Sequence, residues 1–336
     1  MKVKSILLAI VSMTFISTSF AEEVLRISLD TNPTHLRNKS VQIFVDELKK
    51  RTGDYFDIKV FPSAQLYRDR DVIRAIRQNE VEMAFPVPQH FEGTVPNAAI
   101  SGLPMFYGID SNQFRKSMGG KVADVLTREF EEKLQVVIPG KFLDIGMQQI
   151  WTTKKEIKTV NDLKNLRIRY HGGFLNSSRL SEFESVPVLI PFSDLPMALS
   201  QGTVDGLYTT TQSAVSSKLY DLGIKYGFKD NSQYYQYVPM IGKSFWDKQP
   251  SNIQQAIKES WEIAVIWNHD TVDRTQREAA LELEKRGIII ITPTDESLTK
   301  GRKILMKQQS EFVKKLKIDQ ELVNMIMINL KQLGVK

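Results

Sequence analysis

The sequence contains no cysteine. This absence excludes disulfide bonds, thiol nucleophiles, cysteine-ligated zinc and the attachment of a lipid to an N-terminal cysteine. The 4 histidines are not spaced as metal ligands, and the chain has no zinc-protease, P-loop, dinucleotide-binding or serine-hydrolase signature. These absences favour a protein without catalytic residues, a bound metal or a cofactor.

Long runs of charge of one sign are also missing. The chain has 45 Lys and Arg against 39 Asp and Glu, and its 42% hydrophobic content is that of a globular protein, not of a disordered or polytopic membrane protein. Basic clusters such as Lys49–Arg51 lie beside acidic residues such as Glu47. Such mixing is typical of solvated helix faces, so we expect no nucleic-acid partner.

Residues 1–21 have the pattern of a secretory signal. Lys2 and Lys4 precede a largely apolar stretch from Ser5 to Phe20, and Ser19-Phe20-Ala21 places small residues where a signal peptidase cleaves. An uncleaved N-terminal anchor is the alternative. We predict a cleaved signal, so that the mature chain folds outside the cytoplasm and has no direct membrane insertion.

Strand-like and helix-like segments alternate along the rest of the chain. The predicted strands cover about 24–29, 56–60, 81–85, 134–138, 142–151, 166–170, 188–190, 204–208, 234–241 and 288–291. Helices are predicted around 41–48, from near 69, over 193–202 and over 251–286, and two more end the chain. The β-α-β-α-β order of the first segments predicts an α/β fold with a mainly parallel sheet.

Residues 251–286 contain neither proline nor glycine. A helix of that length extends about 54 Å, which is longer than one small lobe. We therefore predict two α/β lobes tied together by one long helix. Lobe I would comprise residues 22–146 and about 236–262, and lobe II residues 147–235 and about 263–336.

Four segments follow one another in an order typical of one protein family. They are Phe61–Leu66 with Asp69-Arg70-Asp71 and Val81–Ala84, then Val160–Arg169, then Ala198–Gly206, and finally Phe245-Trp246-Asp247-Lys248 before the long helix. Together they resemble the substrate-binding proteins of TRAP transporters, the DctP-like family. The resemblance implies a two-lobed periplasmic-binding-protein-like α/β fold with a long helix spanning both lobes.

The resemblance also implies that Arg169, which ends the second of these segments, forms a salt bridge with a carboxylate of the ligand. A guanidinium suits this role, because its planar pair of donors matches the two oxygens of a carboxylate and it stays charged when desolvated. Arg167 points to the same face of an ideal strand. Periodicity therefore does not separate the two arginines, and only the register of the motif selects Arg169.

Two positions depart from the family pattern. Many members have a second arginine where this chain has Gln148, and a ligand-contacting asparagine where it has Thr209. Both side chains form hydrogen bonds but carry no charge. We expect both to bind the substrate, and we expect a monocarboxylate such as a keto, hydroxy or aromatic acid in place of a C4-dicarboxylate or a sialic-acid-type ligand.

Five further residues are candidates for substrate binding because of their positions. Trp151 and Tyr208 adjoin the aligned site along the chain, and Phe106 lies in a loop of the first lobe. Asn32 and His35 follow the first strand, where a crevice forms. Core packing is the alternative role for the three aromatic residues.

These features together predict a periplasmic protein that captures an organic acid and delivers it to a TRAP-type membrane permease without catalysing a reaction. The expected mechanism is closure of the lobes around the ligand, with the long helix absorbing the bend. Two alternatives stay open at this point. One is a secreted two-lobed hydrolase, since a carboxylate pair from distant segments forms no local motif; the other is a ligand-sensing module of the same fold.

Overall fold

The computed structural model describes residues 23–335, and the predicted signal at 1–21 lies outside the described residues. The strands are β1 (Glu23–Ser28), β2 (Phe56–Phe61), β3 (Met83–Ala84), β4 (Val136–Val137), β5 (Leu143–Thr152), β6 (Arg167–Tyr170), β7 (Val186–Leu189), β8 (Gly206–Thr210), β9 (Tyr226–Tyr237), β10 (Met240–Gly242) and β11 (Ile289–Ile291). The α-helices are α1 (Leu36–Thr52), α2 (Val72–Arg77), α3 (Ser111–Met118), α4 (Lys121–Leu134), α5 (Phe174–Glu182), α6 (Leu195–Ser200), α7 (Thr211–Ser216), α8 (Lys243–Trp246), α9 (Ser251–Lys285), α10 (Asp295–Met306), α11 (Gln309–Leu316) and α12 (Gln320–Gln332).

The strands form two sheets, ordered β2-β1-β3-β10-β4 and β11-β9-β5-β8-β6-β7. In the first sheet β1 pairs in parallel with β2 and β3, whereas β10 is antiparallel to β3 and β4. In the second sheet β5 is antiparallel to β8 and β9, while β6 is parallel to β7 and β8. The prediction of parallel pairing is thus confirmed for the first three strands of the chain, but each sheet is mixed.

The strand predicted over 234–241 is wrong, because this segment contributes to two strands in different sheets. β9 ends at Tyr237 in the second sheet, and β10 begins at Met240 in the first. Pro239 lies between them and has no N–H to donate, so it interrupts a continuous ladder of hydrogen bonds. The chain crosses from one sheet to the other at this point.

Two smaller predictions also need correction. A 3₁₀ turn over Phe192–Asp194 precedes α6, so the helix predicted over 193–202 begins at Leu195 and ends at Ser200. Three helices follow β11 where two were expected, because Lys317 adopts a left-handed conformation with φ 57° and ends α11 before α12 begins.

The long helix is confirmed over almost the whole predicted range. α9 packs against α1 beside the first sheet, and against α7, β5 and β11 of the second. Its buried residues recur at helical spacing, as Ile257, Trp261, Ala264 and Val265 do. The helix therefore ties the two sheets together, while the exact lobe boundaries stay a prediction.

Both faces of the second sheet are covered by buried apolar residues. Ile150, Ile168 and Tyr208 belong to the core on one face, and Trp151 and Leu207 belong to the core on the other. Successive side chains of a strand point to opposite faces. Both faces of this sheet are therefore packed against apolar cores.

Candidate functional site

The carboxyl-terminal ends of β6 and β8 meet loops of the first sheet at a cavity with an empty volume of about 680 Å³. Ligands of open α/β sheets bind at such strand ends. From the first sheet's side, the lining residues include Asp30, Arg68, Asp69, Arg70 and His90. From the second sheet's side, they include Gln148, Arg169, His171, Phe192, Tyr208 and Thr209.

Arg169 lies in the wall of this cavity and is only 1% exposed. Its Nε donates to the carbonyl of Ile190 at 2.8 Å and its Nη1 to the carbonyl of Tyr208 at 3.2 Å, but Nη2 has no hydrogen-bond partner in the described part of the chain. Burial lowers the pKa of Arg169 to about 10, so the group is still charged at neutral pH. A buried cation with an unpartnered donor is suited to hold an anion.

Arg167 has a different environment, although it points to the same side of β6. It is exposed, and its Nη2 and Nε donate to the carboxylate of Asp205 at 2.8 and 3.0 Å. Arg167 begins the strand, away from the cavity, whereas Arg169 lies near the strand's carboxyl end with its guanidinium 5.7 Å from the ring centre of Phe192. Position along the strand, not face, separates the two arginines.

Gln148, Tyr208 and Thr209 line the cavity together with Arg169. Gln148 on β5 lies opposite Thr210 on β8 in the antiparallel register, which places it at the same edge of the sheet. The Nε2 of Gln148 and the hydroxyl of Tyr208 are buried without a hydrogen-bond partner in the region described. The structure thus brings four of the predicted substrate-binding residues together.

Trp151 and Phe106, also predicted to bind substrate, lie in the core and do not line the cavity. Trp151 points to the same face of the sheet as Leu207, and its Nε1 donates to the carbonyl of Thr209 at 3.1 Å. Phe106 packs against Phe114, with ring centres 5.0 Å apart. Core packing, the alternative for these aromatic residues, describes their surroundings.

Asn32 and His35 form contacts beside the cavity but do not line it. Nδ2 of Asn32 donates to the carbonyl of Ser216 at 3.1 Å, and Nε2 of His35 lies 2.8 Å from the hydroxyl of Ser213. Burial lowers the pKa of His35 well below its ordinary value. Both residues therefore connect the start of α1 to α7 across the two sheets.

The sequence patterns missed two acids in the opposite wall. Asp30 and Asp69 follow β1 and β2, line the cavity and both form ion pairs with Arg37 of α1. Arg37 donates to Asp69 at 2.9 Å and to the hydroxyl of Thr31 at 3.0 Å, and its guanidinium lies 4.0 Å from the ring centre of Tyr237. Burial opposes the charge of Arg37, but its acidic neighbours outweigh this effect and raise its pKa. In the sequence, Asp30 was marked only by its position just after a predicted strand, and Asp69 only by its place in the first family-like segment.

Two histidines of the cavity are neutral. Burial lowers the pKa of His90 to about 4 and that of His171 well below its ordinary value. Asn176 donates to the hydroxyl of Tyr235 at 3.0 Å, and this hydroxyl lies within hydrogen-bond distance of Nε2 of His171, at 2.9 Å. These rings therefore supply hydrogen-bonding and packing groups but no positive charge.

The loop after His171 depends on glycine. Gly172 and Gly173 have φ values of 150° and 84°, and a Cβ at Gly172 would lie 3.0 Å from Nδ1 of His90. Only a residue without a side chain lets this backbone pass against the other wall. The glycines thus bring His171 to within 6.0 Å of His90, measured between ring centres.

An ion pair joins the two walls at the mouth of the cavity. Nη2 of Arg68, in the loop after β2, donates to Oδ1 of Asp194, just before α6, at 2.9 Å. Both side chains are 39% exposed, so the pair is worth little to the stability of the fold. The contact joins the loop after β2 to the residue just before α6.

A larger groove lies elsewhere, lined by Arg115, Asp144 and His269 among others. It is more open to solvent, and its Arg115 is engaged by Asp273 at 2.8 Å. The cavity at Arg169 is therefore the candidate site.

No three His, Asp or Glu side chains of residues 23–335 gather as metal ligands would. None of the helices in that range is long and apolar enough to cross a membrane.

Comparison with known proteins identifies the family of the chain. Residues 27–316 match the family described as bacterial extracellular solute-binding protein, family 7, also called DctP. A relative from Escherichia coli (strain K12), the 2,3-diketo-L-gulonate-binding periplasmic protein YiaO, is 24% identical over 281 residues, which are 84% of each chain.

Solved structures agree with this assignment. A TRAP periplasmic solute-binding protein from Shewanella oneidensis with bound succinate has a TM-score of 0.86 and 18% identity, and the match covers 92% of this chain and 100% of that one. The sugar acid binding protein DctPAm from Advenella mimigardefordensis, in complex with galactonate, has a TM-score of 0.86 and 17% identity, covering 92% and 98%. The predicted two-lobed α/β fold is confirmed. The chain belongs to family 7 of the bacterial extracellular solute-binding proteins, the DctP family.

Proposed function

We propose that this protein captures an organic acid in the cavity at Arg169, releases it chemically unchanged and delivers it to a TRAP-type permease. The buried Arg169 carries this proposal, because its Nη2 is aimed at no acceptor of the described chain and its charge matches a carboxylate. The E. coli relative is named for a keto acid, and the two structural neighbours hold succinate and galactonate, all of them carboxylates. These ligands agree with the chemistry of the site.

The ligand carries one carboxylate in this proposal. Gln148 occupies the position where many family members have a second arginine, and its buried Nε2 offers a neutral donor. The nearby histidines are neutral because burial lowers their pKa values. A single negative charge on the ligand therefore meets a single buried, unpaired guanidinium in this wall.

Lobe closure is the proposed mechanism of capture. α9 packs against elements of both sheets and would bend as the lobes approach each other. Ligand drives this change only if it binds the closed form better than the open one. In the periplasm, the permease would then recognise the closed form.

The protein would reach the periplasm through the signal at residues 1–21. N-terminal sequencing of exported protein should therefore begin at Glu22.

Native mass spectrometry of the exported protein tests the proposal. We expect a bound mass that is identified, after denaturation, as an organic acid, and we expect the same acid to be recovered unchanged after prolonged incubation. Conversion of the acid during incubation would favour the secreted hydrolase instead. A bound compound without a carboxylate would contradict the role of Arg169.

A further inference from the structure

Two buried acids face Arg169 across the cavity. Arg169 belongs to the second sheet, whereas Asp30 and Asp69 lie in loops of the first and line the same cavity. The side chains of the two acids are mostly buried, with 9% and 7% exposed. Asp30 is near enough to Arg169 to favour its charged form. When the carboxylate of a ligand pairs with Arg169, the rest of its carbon chain therefore extends toward these two acids.

Arg37 holds the two acids in place from behind. It is fully buried, does not line the cavity, and its Nη1 and Nη2 point to Asp69 and Asp30. Further donors of Arg37 go to the Thr31 hydroxyl at 3.0 Å and the Phe85 carbonyl at 2.8 Å. The guanidinium is thus occupied by the protein. Burial raises the pKa of Asp69, although its ion pair with Arg37 opposes this shift. A carboxyl group has acceptor sites on both of its oxygens, so both acids keep the capacity to accept hydrogen bonds.

We propose that Asp30 and Asp69 determine specificity by accepting hydrogen bonds from hydroxyl groups of the ligand, so that the preferred substrate is a hydroxy monocarboxylic acid. This inference rests on the proposed function, since it takes Arg169 as the partner of the carboxylate. An acid without hydroxyl groups would cover two desolvated acceptors and offer them no donor. Sites built to bind a hydroxyl reject analogues that lack it for this reason.

The same acids disfavour a second carboxylate. A dicarboxylate anchored on Arg169 would bring its other carboxylate against the oxygens of Asp30 and Asp69, whose partner Arg37 is already engaged, and the neutral His90 offers it no positive charge. Arg68 and Arg70 also line the cavity, but their side chains are 39% and 47% exposed, and Arg68 is engaged by Asp194. An ion pair made at this exposed mouth is weak.

Calorimetric titration with acids of matched chain length tests the inference. The four-carbon set is butyrate, erythronate, 4-aminobutyrate and succinate, and the six-carbon set is hexanoate, galactonate and adipate. In at least one set we expect the hydroxy acid to bind roughly ten- to hundredfold more tightly than the plain acid, as hydrogen bonds to a charged acceptor allow. We expect the diacid to bind more weakly than the hydroxy acid.

Asp30→Asn and Asp69→Asn should each reduce the gain from the hydroxyl groups and improve binding of the diacid. Asp71→Asn is the matched control, because it makes the same charge change in the same loop at a half-exposed residue that does not line the cavity. It should leave the order of affinities unchanged. Melting curves of all three variants establish that they are folded.

Three results would overturn the inference. In the first, the wild-type protein binds the diacid or 4-aminobutyrate more tightly than the hydroxy acids. In the second, hydroxyl groups do not increase affinity in either set. In the third, Asp30→Asn and Asp69→Asn show the same ratios of affinity between the acids as the wild type. If binding is lost in Arg169→Ala while hydroxyl groups bring no gain, only this inference fails. If Arg169→Ala binds every acid as well as the wild type does, the proposed function fails as well.

Discussion

Replacing Arg169 with alanine removes the charge on which the proposed capture of an acid depends. Because Arg169 is 1% exposed, a carboxylate bound to it has lost its hydration. When the guanidinium is removed, water therefore cannot take its place. Truncating one member of a buried, hydrogen-bonded charge pair costs ~2–5 kcal/mol, much of it from the stranded partner. At about 1.4 kcal/mol per decade, affinity should fall roughly thirtyfold to several thousandfold.

Lysine at this position should restore only part of the affinity. Its ammonium supplies the charge but not the planar pair of donors, and it cannot reproduce the contacts that Nε and Nη1 make with the carbonyls of Ile190 and Tyr208. Arg167→Ala is the matched control, two residues away in the same strand. Since Arg167 is exposed and pairs with Asp205, we expect its loss to change affinity by less than about threefold.

Calorimetric titration of the three variants with the acid recovered from the wild-type protein measures these effects, and melting curves show whether each variant is folded. If Arg167→Ala abolished binding while Arg169→Ala kept it, the register of the motif would be wrong. If neither substitution changed affinity, the carboxylate would not bind at this strand. The expected result is a large loss of affinity in Arg169→Ala, a smaller loss in Arg169→Lys and almost none in Arg167→Ala, with all three variants folded.

Three further predictions concern charge, motion and pH. Gln148→Arg should not improve binding of a natural monocarboxylate but should favour acids with a second acidic group, and tighter binding of the natural ligand would contradict our description of the pocket. Small-angle scattering should give a smaller radius of gyration with saturating ligand, as lobe closure requires, and an unchanged radius would argue against it. Burial raises the pKa of Asp230 to about 7. Between pH 4 and pH 7 the folded protein therefore keeps a proton on this carboxyl group that the unfolded chain has lost. The free energy of unfolding should fall by up to ~4 kcal/mol as the pH rises through this range. Urea titrations at pH 5 and pH 8 measure this change in the free energy of unfolding, and it should be smaller in Asp230→Asn than in the wild type. An equal change in both proteins would show that other groups cause it.

The sequence predicted most elements of the fold because their signals are local. Helical spacing located the middle of α1, and the absence of proline and glycine located α9 almost to the residue. Pairing between distant segments left no such signal. The division of residues 234–241 between two sheets depends on which strands accept them, and only Pro239 indicated a break.

The site shows the same limit. Arg169 came from the register of a motif, and its burial agrees with a binding role, but Trp151 and Phe106 were chosen for closeness along the chain and lie in the core. Asp230 lies on a bulge where five steps of β9 oppose two of β5, between the pairs formed by Phe228 and Gln233. No pattern in the sequence reveals that such a bulge buries a carboxyl group.

Arg37 and Arg169 are both buried beside the cavity, and their hydrogen bonds indicate different roles. Arg37 is surrounded by Asp30, Asp69 and neutral acceptors, so the folded chain already satisfies its charge. Arg169 donates only to carbonyl groups and keeps Nη2 unpartnered within the described residues. Burying a cation without a counter-charge is costly, and burial accordingly lowers its pKa to about 10. A ligand carboxylate would offset that cost at Arg169 but would find no free donor at Arg37, which is why we assign recognition of the acid to Arg169 and support of the opposite wall to Arg37.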